Sequence, residues 1–138
     1  MTDHAAPAGR LSLRIDFPNG ERLGPGKVRL LEEIARLGSI SAAGRSMGMS
    51  YRRAWLLVDA MNGMFDAPLV GSHQGGSGGG GAALTPRGNE VVRLYRSIEA
   101  GAQETTAPHL KSLMKLVGEV GLEPRQAFAS LKPLTNKS

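Results

Sequence analysis

The chain has 138 residues, enough for one domain with an appended segment, and its 41% hydrophobic and 21% charged residues match ordinary globular usage. It contains no cysteine, which excludes disulfides, thiolate metal sites and cysteine nucleophiles together. A formal net charge of +5 and an isoelectric point near 10.1 favour a polyanionic partner, because the field of a basic protein attracts phosphates.

Residues 1–10 are small, polar and proline-containing, and read as a flexible tail without the apolar run of a secretory signal. Leu11, Leu13, Ile15 and Phe17 then alternate with Ser12, Arg14 and Asp16, the period-2 pattern of a half-buried strand. Pro18-Asn19-Gly20 is a turn signal, and Glu21-Arg22-Leu23 supplies a short return strand. After the break at Gly24-Pro25-Gly26, Val28, Leu31, Ile34, Ala35 and Leu37 recur at helical spacing, so a helix is expected over 27–37, stopped by Gly38.

Ser41 is a candidate cap for a short helix ending near Met47, and Gly48 suits a left-handed turn. Ser50 is positioned to cap a third helix over 51–64, with Ala54, Val58 and Met61 as its apolar seam and Trp55 packed against the first helix. Two short apolar runs, Leu69-Val70-Gly71 and Ala82-Ala83-Leu84, flank a glycine-rich loop and read as a hairpin over 69–84. Thr85-Pro86 is a helix start, and the helix to about Gly101 carries Val91, Leu94, Tyr95 and Ile98 on one face. Further helices are expected over 109–117 and 124–131, in a helical C-terminal extension spanning 102–138.

The order helix, short helix, tight turn, helix, strand, loop, strand, helix is that of a winged helix-turn-helix over 11–101. The expected fold class is therefore α+β, mainly α, a winged helix-turn-helix with a long last helix and a short helical C-terminal extension. Small residues at Ala43 and Gly44 allow close approach of the two motif helices, while Met47 and Met49 fill the angle between them. A helix of this kind fits the major groove of double-stranded DNA, and its first turns reach base edges and phosphates. Ser50, Tyr51, Arg52 and Arg53 occupy those turns, with Ser41 and Arg45 on the preceding helix and His73 on the hairpin as further DNA contacts.

The run Gly38-Ser39-Ile40-Ser41, followed by Gly48-Met49-Ser50-Tyr51-x-x-Ala54-Trp55, resembles the DNA-binding domain of ModE-type regulators. Gly78-Gly79-Gly80-Gly81-Ala82-x-Leu84-Thr85-x-x-Gly88 extends the resemblance, which covers about Leu11 to Ile98 and relates the domain to the LysR-type winged helix. It implies a homodimeric, DNA-binding transcriptional regulator with the helix from Ser50 in the major groove and the hairpin as wing, its subunits paired through the helices over 27–37 and 86–101, with Val91, Leu94, Tyr95 and Ile98 as the dimerisation stripe. Members of that family carry a molybdate-binding module after this domain. The segment that follows here is short and reads as helical, so molybdate is not expected to bind this chain.

Other chemistries find little support. Gly76-Ser77-Gly78-Gly79-Gly80-Gly81 satisfies G-x-G-x-x-G, but a strand and Thr-Pro separate it from the next helix, and no Walker lysine follows. His4, His73 and His109 lie far apart at no metal-ligand spacing, and no serine has a partner base in view. Neither an enzyme, a metal site nor a cofactor is expected. No run approaches the roughly 18 apolar residues of a membrane span, so no membrane partner is expected and the cytoplasm is the expected location. The alternative reading is a winged-helix protein–protein interaction module without direct DNA reading.

Overall fold

The computed structural model describes residues 9–74 and 80–118. In chain order these residues form β1 (Ile15–Asp16), β2 (Arg22–Leu23), α1 (Pro25–Leu37), α2 (Ile40–Ser46), α3 (Tyr51–Asn62), β3 (Val70–Gln74), β4 (Gly80–Leu84) and α4 (Pro86–Met114). Both strand pairs are antiparallel hairpins, with Ile15 opposite Leu23 in the first and Val70 opposite Leu84 in the second. The architecture is α+β, mainly helical, a winged helix-turn-helix. The chain divides into one unit at residues 10–105 and a second containing the described residues 106–118.

Burial alternates along 11–17 as the period-2 pattern demands, yet only Ile15–Asp16 joins a ladder, because the return strand is two residues long. The turn is closed by the Phe17 amide donating to the Glu21 carbonyl at 2.8 Å, with Gly20 at φ 88°. Phe17 meets Phe65 edge-on at 5.6 Å, which anchors the hairpin beyond the end of α3.

Proline at the first helical position starts α1 two residues earlier than the sequence reading, and Gly38 ends it in the left-handed conformation with φ 71°. Its buried face is Val28, Leu30, Leu31 and Ile34, whereas Ala35 and Leu37 are exposed. That face forms one core with Val58 and Met61 of α3, Leu69, Val70 and Ala82 of the second hairpin, and Val91 and Tyr95 of α4.

Helix α4 does not stop at Gly101; it runs to Met114 with Pro108 inside it. One helical glycine costs only about 1 kcal/mol, too little to end a helix whose neighbours favour it. The separate helix expected over 109–117 is thus the end of α4, and the helix expected over 124–131 lies outside the described residues. Among the described residues no helix is long and apolar enough to cross a membrane.

Helix α4 begins in a tight joint with the second hairpin. Thr85 donates from its hydroxyl to the Pro68 carbonyl at 2.7 Å and accepts from the Gly88 amide at 3.0 Å, while its own amide donates to the Leu69 carbonyl. Gly88 packs so closely that a Cβ there would sit 2.2 Å from the Leu69 carbonyl oxygen. Gly88→Ala is therefore expected to destabilise the domain by about 1–3 kcal/mol or more, since the clash is with backbone that cannot rotate away. Gly101→Ala, with nothing within 4 Å of its new Cβ, is expected to stabilise the same helix by up to about 1 kcal/mol. Urea unfolding followed by circular dichroism measures both, and equal stabilities for the two variants contradict the joint.

Candidate nucleic-acid interface

The motif is built at the crossing of α2 and α3. A Cβ on Gly44 would lie 2.9 Å from the Ala54 Cβ, so the helices meet closer than two ordinary side chains allow. The chain then turns through Gly48 at φ 72°, with the Met49 amide donating to the Gly44 carbonyl at 2.9 Å. Ser50 caps α3 by accepting from the Arg53 amide at 3.1 Å.

The cap of α2 differs from the sequence reading. Ser39 takes that role, accepting from the Ala42 amide at 3.0 Å, while Ser41 lies inside the helix and accepts from the Arg45 guanidinium at 3.0 Å. Both serines are N-cap residue types, and what decides is that the left-handed Gly38 leaves the very next residue extended.

Along α3, Ala54, Val58 and Met61 are buried as the seam requires. Trp55 is not packed against α1: it is 44% exposed, and its indole N–H donates to the Tyr51 hydroxyl at 2.5 Å. Position 55 lies about 100° round the helix from the seam, and at the crossing with α2 the seam admits only the small Ala54. Tyr51, Trp55 and Leu56 thus give this helix an exposed apolar component beside its arginines.

Three flanks of α3 carry different chemistry. Tyr51 and Trp55 border a groove shared with Ser41 of α2 and Ser72 of β3. Arg52 and Leu56 occupy the outer surface with Asp59. Arg53 and Leu57 turn to the opposite side, towards the β1–β2 hairpin. Arg45, Arg52 and Arg53 are exposed, and among the described residues none is paired with a carboxylate.

The second hairpin is fastened to α3 by Asn62, which the sequence reading missed. Its side-chain oxygen accepts from the Leu69 and Val70 amides at 2.9 and 3.0 Å, and its amide group donates to the Val70 carbonyl at 3.0 Å. An Asn followed by Gly63 signals a helix end in sequence; its bonds to a strand eight residues on carry no sequence signal. A backbone bond from the Ala82 amide to the Gly38 carbonyl at 3.0 Å ties the hairpin to the turn between α1 and α2. His73 stands opposite Gly81 in this hairpin; its side chain, and residues 75–79 of the glycine-rich loop, lie outside the described part.

The candidate dimerisation stripe divides. Val91 and Tyr95 are 8% and 1% exposed within the chain itself, and the Tyr95 hydroxyl donates to the Leu13 carbonyl at 2.6 Å, so neither is left for a partner. Burial pushes the Tyr95 phenol above its ordinary range, keeping it a donor. Leu94 and Ile98 are 46% and 50% exposed. The stripe is wider than one contact, and α1 with the N-terminal segment covers its inner half. Among the described residues no three His, Asp or Glu side chains gather as a metal site.

Residues 26–89, from the start of α1 to the first turn of α4, match the model of the bacterial regulatory helix-turn-helix protein, lysR family. This stretch is a lysR-family helix-turn-helix domain. Curated relatives extend the likeness on both sides of it. The molybdenum-pterin-binding protein MopB of Rhodobacter capsulatus is 48% identical over 117 residues, covering 85% of this chain and 41% of that protein. The molybdenum transport protein ModE of Azotobacter vinelandii is 38% identical over 122 residues, covering 88% and 43%. The DNA-binding transcriptional dual regulator ModE of Escherichia coli K12 is 42% identical over 71 residues, covering 51% and 27%. The chain is ModE-like in sequence and spans about two fifths of the length of the first two of these relatives.

The placing of α2 on α1 has an electrostatic element in this lysR-type domain. Glu33 of α1 accepts from the Arg36 guanidinium and from the Ser46 hydroxyl at the end of α2, the latter at 2.8 Å. These bonds, the Arg36 pair first, lower its pKa from an ordinary 4.5 to about 2. A depressed folded-state pKa adds stability that is present above 4.5 and disappears as pH falls towards 2. Thermal midpoints of the parent chain and Glu33→Gln are expected to differ near neutral pH and to converge across that window; a gap independent of pH contradicts the assignment.

Proposed function

We propose that the chain is a sequence-specific, DNA-binding transcriptional regulator acting as a homodimer. Helix α3 enters the major groove of double-stranded DNA and the β3–β4 hairpin lies beside it as the wing. The observation that carries this reading is the first turn of α3, where Tyr51, Arg52 and Arg53 stand exposed on a serine-capped helix inside a lysR-family domain. A helix fits the major groove, its amide end favours phosphate, and an unpaired arginine supplies either two parallel bonds to guanine or a phosphate contact. The name of the Escherichia coli relative, a DNA-binding transcriptional dual regulator, supports the same reading.

Arg52, on the outermost flank, reads bases. Ser41, Arg45 and Ser50 hold phosphate or sugar, Tyr51 with its partner Trp55 adds apolar contact, and His73 contacts DNA from the wing. Leu94 and Ile98 of α4, one turn apart, bury against the second subunit, with Leu37 at the end of α1, 38% exposed, as a further apolar contact. The reading places no molybdate site on residues 11–101. Exposed Trp55 and Leu56 are the observation that favours a protein-interaction module instead.

Selection of sheared genomic DNA by the purified chain tests the reading: one enriched motif supports it, and retention no better than background overturns direct DNA reading. On the enriched site Arg52→Ala is expected to cost about 1–3 kcal/mol of binding with little loss on random DNA. An equal loss on both removes Arg52 from base reading. Leu94→Glu combined with Ile98→Glu is expected to yield monomers in analytical ultracentrifugation and to weaken binding to paired half-sites more than to one. A variant that remains dimeric places the interface elsewhere.

A further inference from the structure

A groove-bound helix lies between two phosphate ridges, and the two sides of α3 are not equipped alike. The side bearing Tyr51 and Trp55 faces the second hairpin across a groove bordered by Ser41 and Ser72, which carry no charge. The side bearing Arg53 and Leu57 opens into a separate cleft towards the first hairpin and the start of α1, where Arg14, Arg22 and Lys27 join Arg53.

The geometry of this second cleft follows from the short hairpin. Asp16 stands directly opposite Arg22, and Arg14 lies two residues before Asp16, so all three project from one face. Asp16 pairs with Arg14 at 2.9 Å and reaches Arg22 at 4.0 Å, answering one of the four positive charges. The arginine side chains remain 57% and 62% exposed. Lys27 donates to the Arg22 carbonyl at 2.8 Å, which holds its ammonium at the rim. Helix α1 begins at the same place with no side-chain cap, adding the positive end of a 13-residue helix to the field. Leu57 and Met49 supply an apolar floor.

We propose that this cleft is a second DNA-backbone site, in which the sugar–phosphate strand on the far side of the major groove from the wing lies over Leu57 and Met49. Arg14, Arg22, Lys27 and Arg53 hold its phosphates. A cationic rim over an apolar floor suits alternating phosphate and deoxyribose, and the position across α3 from the wing is where the opposite ridge falls. The proposal rests on the DNA-binding reading above. It adds the first hairpin and the start of α1 to the contact surface, and it predicts a footprint that extends beyond the bases read by α3.

The test is the salt dependence of binding to the enriched DNA site, measured for the parent chain, Arg22→Gln, the double variant Arg22→Gln/Lys27→Gln and the control Arg93→Gln on α4. Removing one cation from a phosphate is expected to flatten the slope of log K against log salt by about one, so the slope drops by about one in the single variant and about two in the double. The preference for that site over random DNA stays unchanged, because backbone contacts carry no sequence information. Arg93→Gln keeps the parent slope, which separates the cleft from net charge. Both cleft positions are replaced by uncharged polar residues, and the exposed Arg22 can be removed alone if the double variant folds poorly. Parent binding with an unchanged slope in Arg22→Gln, or a slope that falls equally in Arg93→Gln, overturns the cleft alone. Failure of the parent chain to bind DNA overturns the cleft together with the DNA reading.

Discussion

Helices α2 and α3 cross where Gly44 meets Ala54, at a separation that leaves no room for a Cβ on one side. That contact sets how far α3 stands out from the rest of the domain. With α2 held tightly against its buried seam, the N-terminal turns of α3 have no covering layer, and Tyr51, Arg52, Arg53, Trp55 and Leu56 are all left exposed. A bulkier residue at position 44 would push the helices apart and open the space that Met47 and Met49 fill. Trp55 stays outside the core because it lies about 100° round α3 from the seam that packs at this crossing.

The rest of the domain is fastened to this pair mainly by polar side chains that reach far along the sequence. Asn62 joins the end of α3 to β3, Thr85 joins the loop before β3 to α4, and Tyr95 joins α4 to the N-terminal segment. Arg96 adds a two-bond pair from α4 to Glu32 of α1, at 2.7 and 2.9 Å, and a further bond to Glu99. The Arg96–Glu32 pair is 37% exposed on both sides, so solvent screening limits its strength and its main effect is orientation. The apolar core supplies most of the stability, and these bonds select one arrangement of its elements.

This division of labour bears on function. The core-facing residues of α3 fix its position, which leaves the remaining positions free to differ from flank to flank. One flank is aromatic and faces the wing, the outermost carries Arg52, and the third is basic with the first hairpin. A single helix thereby presents different chemistry on each of its three exposed flanks. The outer half of α4, where Leu94 and Ile98 stand exposed, is an apolar surface separate from these three flanks.

The sequence by itself determined the order of elements, the helix-turn-helix and the serine cap of α3, because these depend on neighbours within a few residues. Periodicity, Gly38, Gly48, Ser50 and Thr85-Pro86 are local signals, and they identified local structure. It also marked Ala54, Val58 and Met61 as buried, since a seam is a property of one helix. Only the tertiary structure decided where Trp55 goes and which half of the α4 stripe stays exposed. It alone brought Asn62 onto β3 and gathered Arg14, Arg22, Lys27 and Arg53 around one cleft. Each of these depends on what a distant segment places opposite the residue, and sequence spacing does not encode that placement until the chain has folded.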